Sequence, residues 1–351
     1  ALGLVFSVLS GGAISLETGI YLGAGIVLFY TIWGGMWSVA LTDLFQSVVI
    51  LLGLAGVAWL IGDMAGGPAK VISAAAEAGK FEFWPKGGTK EWLAFAAAWM
   101  TLAIGSIPQQ DVFQRVTSAK DEKTAVRGCL VGGGVYFVFA FVPMFIAIAA
   151  LVIDPAFEKL FANEDAREIQ RILPELILQR TPMWAQVLFF GALLSAILST
   201  ASGALLAPTA LFTENVVRPF APRLGDKQFL LLLRVVLVVF TLAALLFAVN
   251  SRSTMYEMVQ NAYKVTLVSC IVPLAAGIYW KRATPAAAMI SVVMGLVSWG
   301  IAELVAADAT VPPQLVGLGF SALGMVLGAY LPAARQDRRR AEDPAEKRAH
   351  G

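Results

Sequence analysis

The chain of 351 residues has a single histidine and two cysteines, and only 14% of its residues are charged. Each scarcity closes a class of chemistry. The one histidine, His350, stands in a polar tail, so a Ser/His/Asp triad, a haem or a histidine-built zinc centre has no support. Cys129 and Cys270 fall inside apolar runs with no His, Asp or Glu at ligand spacing, and they read as small buried hydrophobes rather than a disulfide or a metal site. Without a nucleophile and base pair or a metal cluster, no enzyme is expected and no cofactor is called for. A formal charge of +2 is too near neutral to argue for a nucleic-acid partner. Residue 1 is an alanine within an apolar run, with no charged region ahead of it, so the expectation is a natural start upstream and an N-terminally truncated fold.

What the chain has instead is apolar length. Hydrophobic residues make up 58% of it and the mean hydropathy is +0.74, well above the roughly 45–50% apolar content of a soluble domain. A bilayer core of about 30 Å takes roughly 20 apolar residues of helix. Residues 1–10 read as the end of one such span, and full spans are expected at 18–40, 41–62, 91–108, 128–153, 184–213, 228–250, 255–280, 286–308 and 311–332. All are read as helices, because the ten-residue alternation of barrel strands is absent and lipid leaves the backbone no other way to satisfy itself. The fold class is therefore an all-α polytopic membrane protein, with the lipid bilayer as its surroundings.

Lysine and arginine fix an orientation. One set of alternate loops with the tail, from Arg115 through Arg218 and Lys281 to Arg348, holds fifteen; the opposite set, around 63–90, 154–183 and 250–254, holds nine spread over longer loops. The richer set is placed inside, and the C-terminus with it. The outer stretch from Asp154 to Pro182 can form a surface helix, as packing or as an external gate, and the charged tail reads as solvated and disordered.

Three segments depart from plain apolar helix. Residues 29–46 carry Gly34-Gly35 and then Thr42, Asp43 and Gln46; a capped helix start and a cation path through Asp43 both fit. Residues 191–217 put Ser195, Ser199, Thr200 and Ser202 in one span, where the Ala196 carbonyl and the Ser199 and Thr200 hydroxyls share a helix face. Those are oxygens a hard cation accepts, and small residues also line helix contacts in membranes. Residues 103–123 place Gly105 and Pro108 at the end of an apolar run that continues as polar helix, either an ordinary span end or a broken helix of the kind transporters use. Lys264, beside Gln260, Asn261 and Tyr263, is an intramembrane charge and so a functional candidate, whereas Arg234 reads as a snorkelling side chain.

Taken in order, GG-x-x-SVA-x-TD-x-x-Q (Gly34 to Gln46), GSIPQQDVFQRV-x-SA (Gly105 to Ala119), LSTAS (Leu198 to Ser202) and YWKRAT (Tyr279 to Thr284) resemble the sodium:solute symporter family, and most closely its high-affinity choline transporter branch. The resemblance implies a LeuT-type inverted-repeat transporter fold over residues 1–332, a cytoplasmic tail at 333–351, and sodium-coupled symport of a small organic solute by alternating access. It places sodium on Ala196, Ser199 and Thr200 and the inner sodium path at Asp43. Substrate contacts fall on Trp99, Thr101, Ser106 and Gln109 of the broken segment, and on Gln260, with Lys264 added for its charge. The tryptophan that would hold a quaternary ammonium is Gln109 here, and Lys264 opposes a cation, so a carboxylate, amino-acid-like or zwitterionic solute fits better. The expected location is a bacterial inner membrane. Symporter-like domains also precede signalling kinases as sensors; a chain ending in a short charged tail favours a free transporter.

Overall fold

A computed structural model describes residues 1–155, 166–221, 224–251, 253–306 and 309–331, with the side chains of 34–38 and 166–169 also left undescribed. The tail at 333–351, and with it His350, lies outside the described residues. No strand occurs among them. By contacts the chain divides into two compact units: Ala1–Phe81 with Gln114–Thr254, and Glu82–Phe113 with the chain from Met255 onward.

In the first unit, α1 (Leu2–Leu9) precedes α2 (Leu16–Met64), which Ser15 caps by accepting the Thr18 N–H at 3.1 Å. The α2 segment contains two candidate spans, Leu16–Trp33 and Val39–Met64. The Tyr30 and Thr42 hydroxyls touch, yet a straight helix would hold residues 30 and 42 about 18 Å apart. The chain therefore doubles back between them, and the two expected spans are joined by a bend within helical backbone rather than by a loop.

Next come α3 (Pro68–Glu77) and, later in the chain, α6 (Glu122–Phe139), α7 (Phe141–Ile153), α8 (Ala166–Arg180), α9 (Met183–Phe212) and α10 (Asp226–Asn250). A core built from the far end of α2 with α1, α3, α7, α8 and the start of α9 buries Val5, Ile61, Val71, Ile146, Leu176 and Phe189. Leu176 and Ile177 show that the described part of the stretch from Asp154 to Pro182 packs its apolar face inward, the packing role among the two expected. Helix α6 begins at Asp121, whose carboxylate accepts from the Thr124 side chain and backbone and is thereby held below its usual pKa. It buries none of its residues, and Cys129 on it is exposed. That corrects the expectation of a buried thiol: the apolar character of this run suits lipid rather than a protein core. Arg234 of α10 does not simply snorkel either. Its guanidinium lies 5.5 Å from the Trp33 ring centroid, with Nε buried and unpartnered.

The second unit has α4 (Thr89–Ala103), the start of α5 (Gln110–Thr117), α11 (Met255–Ser269), α12 (Ile271–Tyr279), α13 (Pro285–Val305) and α14 (Pro313–Tyr330). Helix α13 is capped by Thr284, which accepts from Ala287 N–H at 3.2 Å, and both α13 and α14 open on proline. Phe83, Trp84, Trp92 and Phe95 cluster near the start of α4, the kind of aromatic girdle that sits at a bilayer surface. Among the described residues seven helices are long and apolar enough to cross a membrane, or eight if the pair α11 and α12, bent by 42°, is one span. The expected span at 91–108 is the one that falls short. Helix α4 stops at Ala103 after 15 residues, and the chain turns through Gly105 to Pro108 before α5 begins.

Candidate functional site

Helix α9 runs unbroken through residues 196–200, so the Ala196 carbonyl and the Ser199 and Thr200 side chains do share one face. Thr200 is exposed, and Ala196 and Ser199 are half-buried. What periodicity could not supply is the partner. The Ser199 hydroxyl donates to Asp43 Oδ1 at 2.6 Å, and Ser202, fully buried one turn on, donates back to the Ser199 carbonyl at 3.0 Å. Because its proton goes to Asp43, the lone pairs of Ser199 Oγ are left to accept or to coordinate. Asp43 itself lies beyond the start of the second arm of α2, Val39–Met64, and its carboxylate reaches across to α9. The helix-capping reading of Asp43 is thereby overturned.

The second carboxylate oxygen is taken as well. Arg115 Nη2 donates to Asp43 Oδ2 at 2.9 Å, with Asp43 only 17% exposed and Arg115 40%. This arginine was not among the residues singled out from sequence, although it stands in the GSIPQQDVFQRV motif. A glycine makes room for it: a Cβ on Gly203 would lie 2.8 Å from Arg115 Nη2. Ser199, Asp43, Arg115 and Gly203 thus form one locus within the first unit.

The substrate candidates behave differently. Thr101 is fully buried and spends its hydroxyl on the Ala97 carbonyl at 2.7 Å; Ser106 donates to the Ala103 carbonyl at 3.2 Å. Trp99 is 56% exposed. Gln109 donates to the Thr266 hydroxyl at 3.2 Å, and that hydroxyl donates to the Gly105 carbonyl at 2.6 Å, so α11 holds the break in place. Only glycine fits at 105, where a Cβ would stand 2.4 Å from the Thr101 carbonyl and 2.5 Å from that of Tyr263. Gln260 and Lys264 do come together. With Lys90, Glu303 and Gln314 they line a pocket of about 320 Å³ in the second unit. Lys264 Nζ lies 3.7 Å from Glu303 Oε1, so its charge has a counter-ion that the local sequence did not reveal. Among the described residues no cluster of three or more His, Cys, Asp or Glu is placed to hold a metal ion.

Comparison with known proteins identifies the family and the fold. A profile of the sodium:solute symporter family matches residues 8–295. High-affinity choline transporter 1 of Caenorhabditis elegans is 27% identical over 85% of this chain and 52% of its own length. The sodium/proline symporter of Haemophilus influenzae is 26% identical over 95% of this chain and 68% of its own. The chain spans about half the length of that choline transporter. The structure of a Na+-coupled sialic acid symporter, substrate-bound and outward-open, superposes with a TM-score of 0.73 at 20% identity, over 93% of this chain and 69% of the other. The fold is the LeuT type.

Proposed function

Since the chain belongs to the sodium:solute symporter family and is an integral, multi-pass membrane protein, we propose that the whole protein couples sodium entry to uptake of a small polar organic solute by alternating access. The transmembrane symporter domain is read as residues 1–332, followed by a cytoplasmic tail at 333–351, in a bacterial inner membrane with the lipid bilayer as solvent. No bond is made or broken. Each sodium moving down a potential of 100 mV supplies about 2.3 kcal/mol, and binding turns that into closure around the solute.

The observation that carries the proposal is the bond from Ser199 to Asp43. A hydroxyl that is to hold a sodium ion must offer a lone pair and send its proton elsewhere, and Asp43 is where the proton goes. Beside Ser199 Oγ, the Thr200 hydroxyl and the Ala196 carbonyl supply two further neutral oxygens on the same face. Asp43 adds charge on the inner side, drawing the ion off on its way to the cytoplasm. For the solute, the Lys264 and Glu303 pair presents both signs at one pocket, which suits a zwitterion or amino-acid-like molecule better than a sugar. Trp99, Thr101, Ser106 and Gln109 stay as candidates for states in which the break at Gly105 to Pro108 opens.

The test is uptake of a radiolabelled solute panel by the whole protein, with and without sodium. Ser199→Ala combined with Thr200→Ala abolishes sodium stimulation if the proposal holds. Uptake that keeps its full sodium dependence in that double variant removes the assignment.

A further inference from the structure

Resting on the sodium reading above, the geometry points to a further residue that sets ion affinity: Arg115 is a tethered cation that neutralises Asp43 and so tunes how tightly sodium is held and how readily it leaves. Three observations carry this. The carboxylate of Asp43 is shared, one oxygen accepting from Ser199 at 2.6 Å and the other from Arg115 at 2.9 Å, so the guanidinium is one ligand away from the hydroxyl proposed to hold the ion. Gly203 leaves the space that the guanidinium fills, since any side chain there would start 2.8 Å from Nη2. Arg115 is 40% exposed while Asp43 is 17% exposed, so the cation can swing toward water when the carboxylate is needed.

The electrostatics follow directly. With Arg115 in place the locus is formally neutral, and sodium sees hydroxyl and carbonyl dipoles plus a carboxylate whose field is largely cancelled. Without Arg115 the same oxygens sit beside a net negative charge in a medium of reduced dielectric, where one charge a few ångströms away is strongly felt. Sodium then binds more tightly and leaves more slowly. Neutralising Asp43 alone does the opposite, because it takes the negative charge away from beside the ion while the guanidinium stays. Arg115 is in this sense a positioning residue, acting on the ion through Asp43.

The experiment measures uptake against sodium concentration, giving K0.5 for sodium separately from the maximal rate, in the whole protein reconstituted in liposomes. Arg115→Gln lowers K0.5 by about tenfold and slows the maximal rate. Asp43→Asn keeps an oxygen to accept from Ser199 and changes only the charge; it raises K0.5 by about tenfold or more. Arg115→Lys stays near the unsubstituted value. The double variant Asp43→Asn with Arg115→Gln is neutral again and returns to within about threefold of it. That combination also answers should Arg115→Gln fail to reach the membrane, because a merely structural arginine would give a double variant no better than Asp43→Asn alone. Sodium-dependent uptake whose K0.5 does not move in Arg115→Gln, or a double variant that keeps the full shift of Asp43→Asn, overturns the role of Arg115 and leaves the symporter reading standing. Sodium-independent uptake by the unsubstituted protein overturns both.

Discussion

Each unit holds one ion pair at a candidate site, and the two pairs are built differently. In the first unit Asp43 is pinned from two sides, by Ser199 at 2.6 Å and Arg115 at 2.9 Å, with a glycine clearing the ground around the guanidinium. In the second, Lys264 and Glu303 stand 3.7 Å apart on the wall of an open pocket, beyond good hydrogen-bond length. Short, shared contacts suit a place where charge is held in balance and released as a unit. A loose pair suits a place where each member trades its partner for one end of a ligand.

The strongest way to break that contrast is Asp43→Ala. It removes the acceptor for the Ser199 proton and the carboxylate that Arg115 donates to, so sodium stimulation is lost. Folding stability falls by about 1–2 kcal/mol, less than for a fully buried pair because Arg115 is partly in water. Thermal unfolding of the purified protein measures the second effect. A variant with unchanged melting and unchanged sodium dependence would mean that Asp43 is a spectator.

A milder probe is Gly203→Val. The new side chain cannot share space with Arg115 Nη2, but the far end of an arginine can yield, so the guanidinium is displaced rather than the helix. K0.5 for sodium then falls in the direction of Arg115→Gln but by only about three- to fivefold, as a fraction of that charge effect. At the looser pair, Lys264→Gln and Glu303→Gln each raise the apparent KM for a zwitterionic solute by about threefold to tenfold, as expected for one charge-assisted contact partly open to water. Neither moves K0.5 for sodium at saturating solute. Equal effects of all these changes on sodium and on solute would erase the distinction between the two loci.

How much of this was legible beforehand follows from the range of the interactions. Span positions depend on local hydropathy, and most were readable; the extent of 91–108 was overdrawn because its apolar content continues past Ala103, although Gly105 and Pro108 already offered the broken helix that the structure has. Ser199, Thr200 and Ala196 share a face by helical period alone. That Asp43 meets Ser199 is a contact across 156 residues, and no local pattern contains it. Family resemblance named both residues but not their bond. Arg115 was counted only as an inside-facing charge in a loop, since its role depends on a carboxylate 72 residues earlier and a glycine 88 residues later. Lys264 read as an unanswered charge for the same reason: Glu303 lies on another helix.

The smallest expected effect belongs to a contact that serves neither locus. Ser291 of α13 donates to the Ser321 carbonyl of α14 at 2.8 Å, the two hydroxyls are 3.0 Å apart, and both residues are fully buried. Ser291→Ala leaves the Ser321 carbonyl with the bond of its own helix and the Ser321 hydroxyl free to turn to a backbone oxygen. The cost is therefore about 0.6–1 kcal/mol, near the mean for interhelical polar contacts in membranes and below the full penalty of an orphaned buried donor. It should appear as a small drop in melting temperature with K0.5 for sodium and KM for solute unchanged. If the transport constants moved with it, the helix pair of α13 and α14 would be part of the moving machinery, and the tight locus in the first unit could no longer be treated as setting ion affinity by itself.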